Sequence, residues 1–279
     1  MTNVRIVTDS ACDLPQALAD ELGIEIVPLT VRFGSEEFVD RHDLTPAEFW
    51  TRCQASPVLP ETAAPPPGLF EAAYRKLAAE GADGIVCVSL SSALSATMQS
   101  ALLAAQSVRD TIRVEVVDSR SVTMGLGMIA VAAARLGRTG ASVDDVVATT
   151  RSLAERTHVW GALDTLENLK KGGRIGNAKA LLASVLSIKP IIEVRDGKVE
   201  EGGKQRTRTR ALAFLREKLL AQGAVENVAV MQADAPDAAA FVAELQQGRA
   251  EPIVVGEIGA VIGTHAGRGT IGVVFQTPA

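Results

Sequence analysis

The stretch from Ser89 to Thr97 is dense in hydroxyl groups and contains no acid, histidine or lysine. Its hydroxyl residues are Ser89, Ser91, Ser92, Ser95 and Thr97. The apolar run Gly84–Val88 predicts a buried strand before it, and residues 97–108 predict a helix after it. Open α/β sheets bind anions where a strand ends and a helix begins. The turn therefore predicts a site for an anion or a carboxylate, although serine is also a preferred helix cap and capping explains the same residues.

A second candidate group is His265, one of three histidines in the chain. It lies in the glycine-rich stretch Gly263–Gly269, for which we expect a loop that leaves the imidazole accessible. Such a ring can donate a hydrogen bond to a carboxylate whether it is neutral or charged. A structural role for His265 is the alternative, and His42 and His158 are interpreted as solvated surface residues.

Basic residues form two clusters that could bind an acidic partner. The first consists of Lys170, Lys171 and Arg174, and the second of Arg206, Arg208 and Arg210. Solvated helix ends are the alternative interpretation of both clusters. The sequence does not show whether the two clusters meet in space.

The sequence lacks the motifs of several common activities. Gly267–Gly272 matches G-x-G-x-x-G, but it precedes a predicted strand and lies close to the last residue, so a dinucleotide site is rejected. The chain contains no nucleophile elbow, zinc motif or Walker A sequence, and its three cysteines lie far apart. We expect neither a cofactor nor a metal. The net charge of −5 argues against nucleic acid binding, and the absence of a long apolar segment or a signal peptide predicts a cytoplasmic protein.

The order of predicted elements indicates two domains. Residues 1–160 alternate between helix and strand, which predicts an α/β domain with a doubly wound, mainly parallel sheet. Strands become sparse after residue 159, and residues 161–279 are expected to form an α+β domain. Aromatic residues make up only 4% of the chain, so an internal cavity would have aliphatic walls that suit a flexible hydrocarbon.

Local signals add further expectations about the first domain. Asp13 is a candidate N-cap for the helix expected to begin near Pro15, and Glu25–Arg32 predicts one strand. Thr45–Glu48 fits a capping box. Five prolines between Pro57 and Pro67 predict a rigid extended loop, in which Thr62 is the main polar side chain.

Four spaced motifs together resemble the DegV family, whose members include the fatty acid-binding subunits of bacterial fatty acid kinase. These motifs are Ile6–Ser10, Ser91–Thr97, Leu166–Ile175 and Gly263–Gly267. The resemblance covers nearly the whole chain. It implies a two-domain protein that encloses one long-chain fatty acid in an apolar tunnel between the domains. It also implies a separate kinase subunit that phosphorylates the bound carboxylate to an acyl phosphate for lipid synthesis, and it leaves room for transient membrane contact.

The resemblance also assigns roles to individual residues. The carboxylate contacts of the family fall on Thr62, Ser95 and His265, and the tunnel mouth would be supported by Ser91, Ser92, Thr97 and Gly267. Its kinase-contacting arginine falls on Arg206, with Lys170, Lys171 and Arg174 as the other docking residues. Such a site has three neutral donors and no arginine, which would leave the carboxylate oxygens reachable for phosphoryl transfer. The chain departs from the family pattern at Ala96–Met98, where Gly-Thr-Tyr is frequent, and at Thr62–Pro65, where Thr-Ser-Gln-Pro is usual.

Two other functions fit the same residues. One is an acyl hydrolase with Ser95 as nucleophile and His265 as base, which needs an acid such as Asp9 or Asp118 to orient the imidazole. The other is a site for a small polar ligand at the sheet edge, without a lipid tunnel.

Overall fold

Strands and helices alternate along the first half of the chain. The computed structural model describes residues 2–183 and 188–279. The strands are β1 (Val4–Asp9), β2 (Glu25–Val27), β3 (Thr30–Phe33), β4 (Glu36–Val39), β5 (Glu61–Ala63), β6 (Gly84–Ser89), β7 (Val114–Asp118), β8 (Thr157–Ala162), β9 (Lys189–Arg195), β10 (Lys198–Gln205), β11 (Glu226–Gln232), β12 (Val254–Glu257) and β13 (Ile271–Gln276). The helices are α1 (Gln16–Leu22), α2 (Pro46–Ala55), α3 (Pro67–Ala79), α4 (Thr97–Ser107), α5 (Thr123–Gly137), α6 (Val143–Arg156), α7 (Glu167–Lys171), α8 (Arg208–Leu220), α9 (Ala238–Gln246) and α10 (Ala260–Ala266). Two 3-10 helices occupy Ser10–Cys12 and Gly176–Ala183.

The first sheet is parallel and doubly wound, as the alternation of elements predicts. Its strand order is β2-β1-β6-β7, with every neighbouring pair parallel. Helices α3 and α4 pack on one face, and α5 and α6 pack on the other. All six residues of β6 are buried because helices cover the sheet on both sides. The serine-rich turn therefore begins at the carboxyl end of a central strand.

The second sheet has six strands, so the expectation of sparse strands after residue 159 is wrong. Its order is β10-β9-β8-β13-β11-β12, with β11 and β12 parallel and the other pairs antiparallel. Strand β13 is buried throughout, so it lacks the polar–apolar alternation that marks a half-exposed strand. Residue 160 lies inside β8, and a division of the chain at that residue stays a prediction. The apolar run in Ser187–Val194 predicts a strand; the structure shows it as β9 from Lys189, and Ser187 itself lies outside the described residues.

A small third sheet, in the order β4-β3-β5, corrects two expectations. Glu25–Arg32 is not one strand: β2 joins the parallel sheet, whereas β3 belongs to the small sheet. Pro28 separates the two and cannot donate a backbone hydrogen bond to a ladder. The proline-rich segment is not a loop throughout either, because β5 pairs with β3 and places Thr62 opposite Val31.

The structure confirms some local predictions at helix ends and corrects others. The capping box at Thr45 and Glu48 is confirmed at the start of α2. Asp13 is not an N-cap, because α1 begins at Gln16 after Pro15 and the Asp13 carboxylate accepts a hydrogen bond from the Gly259 backbone. The loop expected around His265 is wrong, since Ala260–Ala266 form α10 and Gly267 ends it with φ of 82°. No helix within the described residues is both long and apolar enough to span a bilayer.

Candidate functional site

A narrow, mostly apolar cavity lies where the amino-terminal and carboxy-terminal halves of the chain meet. It encloses about 610 Å³ between its lining atoms, including its open mouth. Eleven of its fifteen lining residues are apolar: Leu29, Leu90, Leu94, Val122, Leu169, Ile192, Val194, Val199, Val261, Ile262 and Ala266. The four polar ones are Thr62, Ser95, Arg174 and His265. Small-molecule sites commonly have such a lining, which is apolar with a few placed polar groups.

Thr62 and His265 meet in this cavity although they are 203 residues apart in the sequence. The Thr62 hydroxyl and His265 Nε2 are 2.9 Å apart and share a hydrogen bond. Thr62 is held by the pairing of β5 with β3, and His265 lies in the last turn of α10. Two short elements that sequence reasoning treated as loops therefore position the pair.

The His265 imidazole is partly buried, which corrects the expectation of an accessible ring. Burial, together with the nearby positive charge of Arg174, lowers its pKa to about 4. The ring is therefore neutral at pH 7. Its Nδ1 atom is buried and has no hydrogen-bond partner among the described residues. The α-carbon of Gly172 packs against this side of the ring, where a β-carbon would collide with Nδ1.

Ser95 is held by its own helix rather than by the histidine. Its Oγ accepts a hydrogen bond of 3.2 Å from the Thr97 backbone N–H and shares one of 2.8 Å with the Thr97 hydroxyl. Thr97 is fully buried, so this contact orients Ser95 at the start of α4. Ser95 thus pairs with a backbone N–H at the start of α4, although Ala96 is the N-cap residue, and its binding role stays a prediction.

The other residues predicted at the tunnel mouth lie outside the cavity lining. Ser91 is buried and donates a hydrogen bond of 2.6 Å to the Gly197 carbonyl in the β9–β10 turn. Ser92 donates one of 2.5 Å to Asp118. Gly267 follows His265 at the end of α10. Their proposed support of the mouth stays a prediction, and the contacts in the structure are with neighbouring backbone and side chains.

Arg174 lies in the cavity lining, where sequence reasoning expected no arginine. It is partly buried, and its Nε and Nη1 donate hydrogen bonds of 3.0 Å to the Leu94 carbonyl and 2.7 Å to the Gly172 carbonyl. Leu94 precedes Ser95, and Gly172 touches His265, so Arg174 bridges the two polar positions. No local pattern distinguished Arg174 from its basic neighbours, because its role depends on a contact 80 residues away.

One residue of the second basic cluster, Arg208, reaches the segment before α7. Arg208, the first residue of α8, pairs with Asp237 at 2.8 Å and lies 3.8 Å from Asp164, which precedes α7. Lys170, Lys171, Arg206 and Arg210 are exposed. A surface shared by the two clusters stays a prediction.

The residues of the hydrolase interpretation do not assemble. Ser95 bonds to Thr97, His265 bonds to Thr62, and the imidazole Nδ1 has no acidic partner among the described residues. The Asp9 carboxylate accepts from the Leu90 and Ala11 backbone N–H groups, and Asp118 accepts from Ser92 and Arg120. Among the described residues, no group of three or more His, Cys, Asp or Glu side chains is arranged to hold a metal ion.

Comparison with known proteins places the whole chain in one group. A family model described as an uncharacterised protein of the DegV family matches residues 3–277. A DegV domain-containing protein of Streptomyces coelicolor is 38% identical over 281 residues, which cover 99% of each chain. A similar protein of Deinococcus radiodurans is 38% identical over 280 residues, which cover 98% of each chain.

Solved structures extend the comparison to the fold and to ligands. A DegV family protein from Thermus thermophilus, solved in a study of its fatty acid binding, has a TM-score of 0.92 and 35% identity, covering 99% of this chain and 100% of that chain. A Bacillus subtilis DegV, described as a fatty acid binding protein, has a TM-score of 0.90 and 29% identity over 100% of both chains. A stearic acid-binding protein from Eubacterium ventriosum has a TM-score of 0.89 and 26% identity, covering 99% of this chain and 98% of that chain.

Proposed function

The chain belongs to the DegV family, and on that premise we propose that it binds one long-chain fatty acid in the cavity between its two halves. We further propose that it presents the fatty acid carboxylate to a separate kinase subunit, which phosphorylates it to an acyl phosphate. In this account the protein is a substrate carrier, and the phosphoryl-transfer chemistry belongs to the partner.

The clustering of the four polar lining residues is the observation that carries this proposal. Thr62 bonds to His265, Gly172 packs against the His265 ring, and Arg174 bonds to both Gly172 and the residue before Ser95. The remaining lining is aliphatic. A cavity with one polar cluster and aliphatic walls matches the two parts of a fatty acid, a carboxylate and a hydrocarbon chain.

The hydrocarbon supplies most of the expected affinity. Burial of a methylene contributes about 0.8 kcal/mol, so twelve buried methylenes contribute roughly 10 kcal/mol before the costs of association. That gain offsets the cost of removing the carboxylate from water. Arg174 adds a positive charge beside the neutral donors, and this charge further lowers the cost.

The state of His265 determines how the head group would be bound. A neutral imidazole carries one N–H, and the bond to Thr62 uses that proton if it lies on Nε2. The Thr62 hydroxyl is then free to donate its own proton into the cavity. Thr62 and Ser95 would donate to the carboxylate, and His265 would act through Thr62 or through direct contact after ligand binding.

Docking of the kinase subunit is proposed at the exposed basic residues Lys170, Lys171 and Arg206. Lys171 is adjacent to Gly172, which touches the His265 ring, so the basic surface begins one residue from the polar cluster. Positive charge beside the head group suits a partner that brings a nucleotide phosphate. Transient membrane contact and a cytoplasmic location stay predictions of the sequence.

Thermal unfolding of delipidated protein tests the binding step. Palmitate at one hundred times its dissociation constant should stabilise the protein by about 2.7 kcal/mol, which corresponds to a rise in melting temperature of roughly 5 °C. Methyl palmitate has the same chain without a free carboxylate and should give a smaller rise. A Thr62→Val variant keeps the side-chain shape and should reduce the difference between the two ligands. No response to palmitate would refute fatty acid binding.

A hydroxylamine trap tests the presentation step. The loaded protein is mixed with ATP and the fatty acid kinase catalytic subunit of the same organism, and acyl hydroxamate is measured. Hydroxamate that requires both proteins supports presentation to a kinase. Fatty acid binding without hydroxamate would leave a carrier that does not serve a kinase. Labelling of Ser95 by a fluorophosphonate probe would instead support the hydrolase.

A further inference from the structure

Helix α10 belongs to the carboxy-terminal half in sequence and packs on α7 of that half, yet it also packs on α2, β3 and β5 of the amino-terminal half. Val261, Ile262, His265 and Ala266 from this helix line the cavity. In its middle, the α-carbon of Gly263 packs on α2, where a β-carbon would lie 2.9 Å from both Phe49 and Trp50. The orientation of α10 therefore determines the position of His265 and one wall of the cavity.

The first turn of α10 is held by one carboxylate from the other end of the chain. Asp13 Oδ1 accepts a hydrogen bond of 3.0 Å from the backbone N–H of Gly259, the residue that precedes α10. The two residues are 246 positions apart. Gly259 has no side chain that could cap the helix, and a β-carbon there would lie 2.7 Å from Asp13 Oδ1. The contact thus depends on a glycine on one side and a carboxylate on the other.

Asp13 is itself held firmly in place. Its side chain is 7% exposed, and its backbone has φ of 50°, a left-handed conformation that fixes the turn after the 3-10 helix Ser10–Cys12. Burial raises the pKa of the Asp13 carboxyl to about 7, whereas the Thr123 hydroxyl and the Gly259 N–H beside it favour the ionised form. Removing such a carboxyl group from water is costly for stability. Such a cost indicates that the Gly259 contact serves something other than stability.

We propose that Asp13 is a positioning residue for His265, because it fixes the first turn of α10 and so directs the imidazole onto Thr62. The helix is seven residues long, or about 10 Å, and Asp13 and Thr62 contact its two ends. Both contacts come from the amino-terminal half. Loss of the Asp13 contact lets the helix tilt about Gly263 and moves His265 away from the Thr62 hydroxyl.

The test compares Asp13→Ala with Asp13→Asn, because asparagine keeps the acceptor oxygen and alanine removes it. The state of His265 is measured by NMR of its imidazole nitrogens during a pH titration. In the wild-type protein and in Asp13→Asn the ring should titrate at about 4. In Asp13→Ala the pKa should rise towards the ordinary value of about 6.5, as the ring leaves its buried site. Asp196→Ala is the matched control, since Asp196 pairs with Arg120 across the two halves without touching α10.

Fatty acid affinity is the second readout, and it rests on the proposed function. Asp13→Ala should weaken palmitate binding by about tenfold, whereas Asp13→Asn and Asp196→Ala should stay within about twofold of the wild-type protein. If the wild-type protein binds no fatty acid, the proposed function fails, and the NMR titration still decides the role of Asp13.

Three outcomes would overturn the role of Asp13. They are an unchanged His265 titration in Asp13→Ala, equal effects of Asp13→Asn and Asp13→Ala, and an equal effect of Asp196→Ala. If Asp13→Ala does not fold, Gly259→Ala disturbs the same contact from the other side. It should raise the His265 pKa as well, and an unchanged titration in that variant would likewise contradict the role.

Discussion

A Gly172→Ala substitution should weaken fatty acid binding without weakening the fold. Gly172 has φ of −72° and ψ of −6°, which alanine adopts freely, so its backbone carries no penalty. Replacing glycine at such a position stabilises a protein by about 0.4–1 kcal/mol through the unfolded chain. The new methyl group, however, would collide with His265 Nδ1 and lie 2.9 Å from Cε1. Because the Asn168 carbonyl lies 3.1 Å from the methyl on its other side, the imidazole has to move.

Movement of the ring breaks its hydrogen bond of 2.9 Å with Thr62. Hydrogen bonds to charged groups contribute about 1.5–3 kcal/mol, so the loss of head-group alignment should raise the palmitate dissociation constant by roughly 10- to 150-fold. Calorimetric titration of delipidated protein measures the constant. Gly68→Ala is the matched control, because Gly68 lies in α3 with no atom within 4 Å of the added methyl. It should leave affinity unchanged.

A double-mutant cycle with His265→Ala separates this mechanism from general damage. Once the imidazole is removed, the methyl at position 172 has nothing to displace, so the double variant should bind palmitate as His265→Ala does. Additive losses in the double variant would refute the steric mechanism. Affinity of Gly172→Ala within about twofold of the wild-type protein would refute the role of the His265–Thr62 pair itself.

Three further predictions concern pH, chain length and docking. Because the folded pKa of His265 is lowered to about 4, the unfolded chain takes up its proton first as the pH falls through about 6.5. Between pH 6.5 and 4, the free energy of unfolding of the wild-type protein, measured by chemical denaturation, should fall by up to about 3 kcal/mol more than that of His265→Gln. Parallel curves of this free energy against pH for the two proteins would contradict the prediction. Val122→Phe narrows the cavity and should shift the co-purified fatty acids, identified by mass spectrometry, to shorter chains. Each methylene that no longer fits loses about 0.8 kcal/mol of binding free energy. Arg206→Ala should lower acyl phosphate formation with the kinase subunit at unchanged palmitate affinity, and equal turnover would exclude docking at Arg206.

The elements that carry local signals were predictable. The strand ending at Ser89 and the helix beginning at Thr97 follow from an apolar run and a hydroxyl-rich turn, and the capping box at Thr45 follows from side chains three residues apart. These features depend on neighbours in the sequence, so the pattern contains the information.

The features that depend on distant contacts were not predictable. Thr62 meets His265 only because β5 pairs with β3 and α10 packs on α2, and no local pattern specifies either contact. Helix α10 is short and lacks a side-chain cap, so its glycines indicated a loop. In the sequence Arg174 resembles its basic neighbours, and only the fold shows its contact with the Leu94 carbonyl.

The resemblance to a family supplied what local patterns could not. Thr62 is an ordinary threonine in a proline-rich segment, and its pairing with Ser95 and His265 came from matched motifs rather than from its own surroundings. The structure gathers these three residues in one cavity and adds Arg174 to them. The family motifs thus identified the residues of the polar cluster. The resemblance assigned Arg174 to a docking surface, whereas the packing of α7 against α10 brings this charge to the cavity.

Mass spectrometry of the organic extract from the purified, denatured protein shows whether the cavity holds a fatty acid. We expect one or two fatty acids of roughly C14–C18 near one molecule per chain, with the hydrocarbon held by the aliphatic lining. A protein in which the cavity is blocked by Val261→Trp should yield much less, at the same amount of folded protein. An extract of the wild-type protein without fatty acid, together with no uptake of added palmitate, would contradict the account.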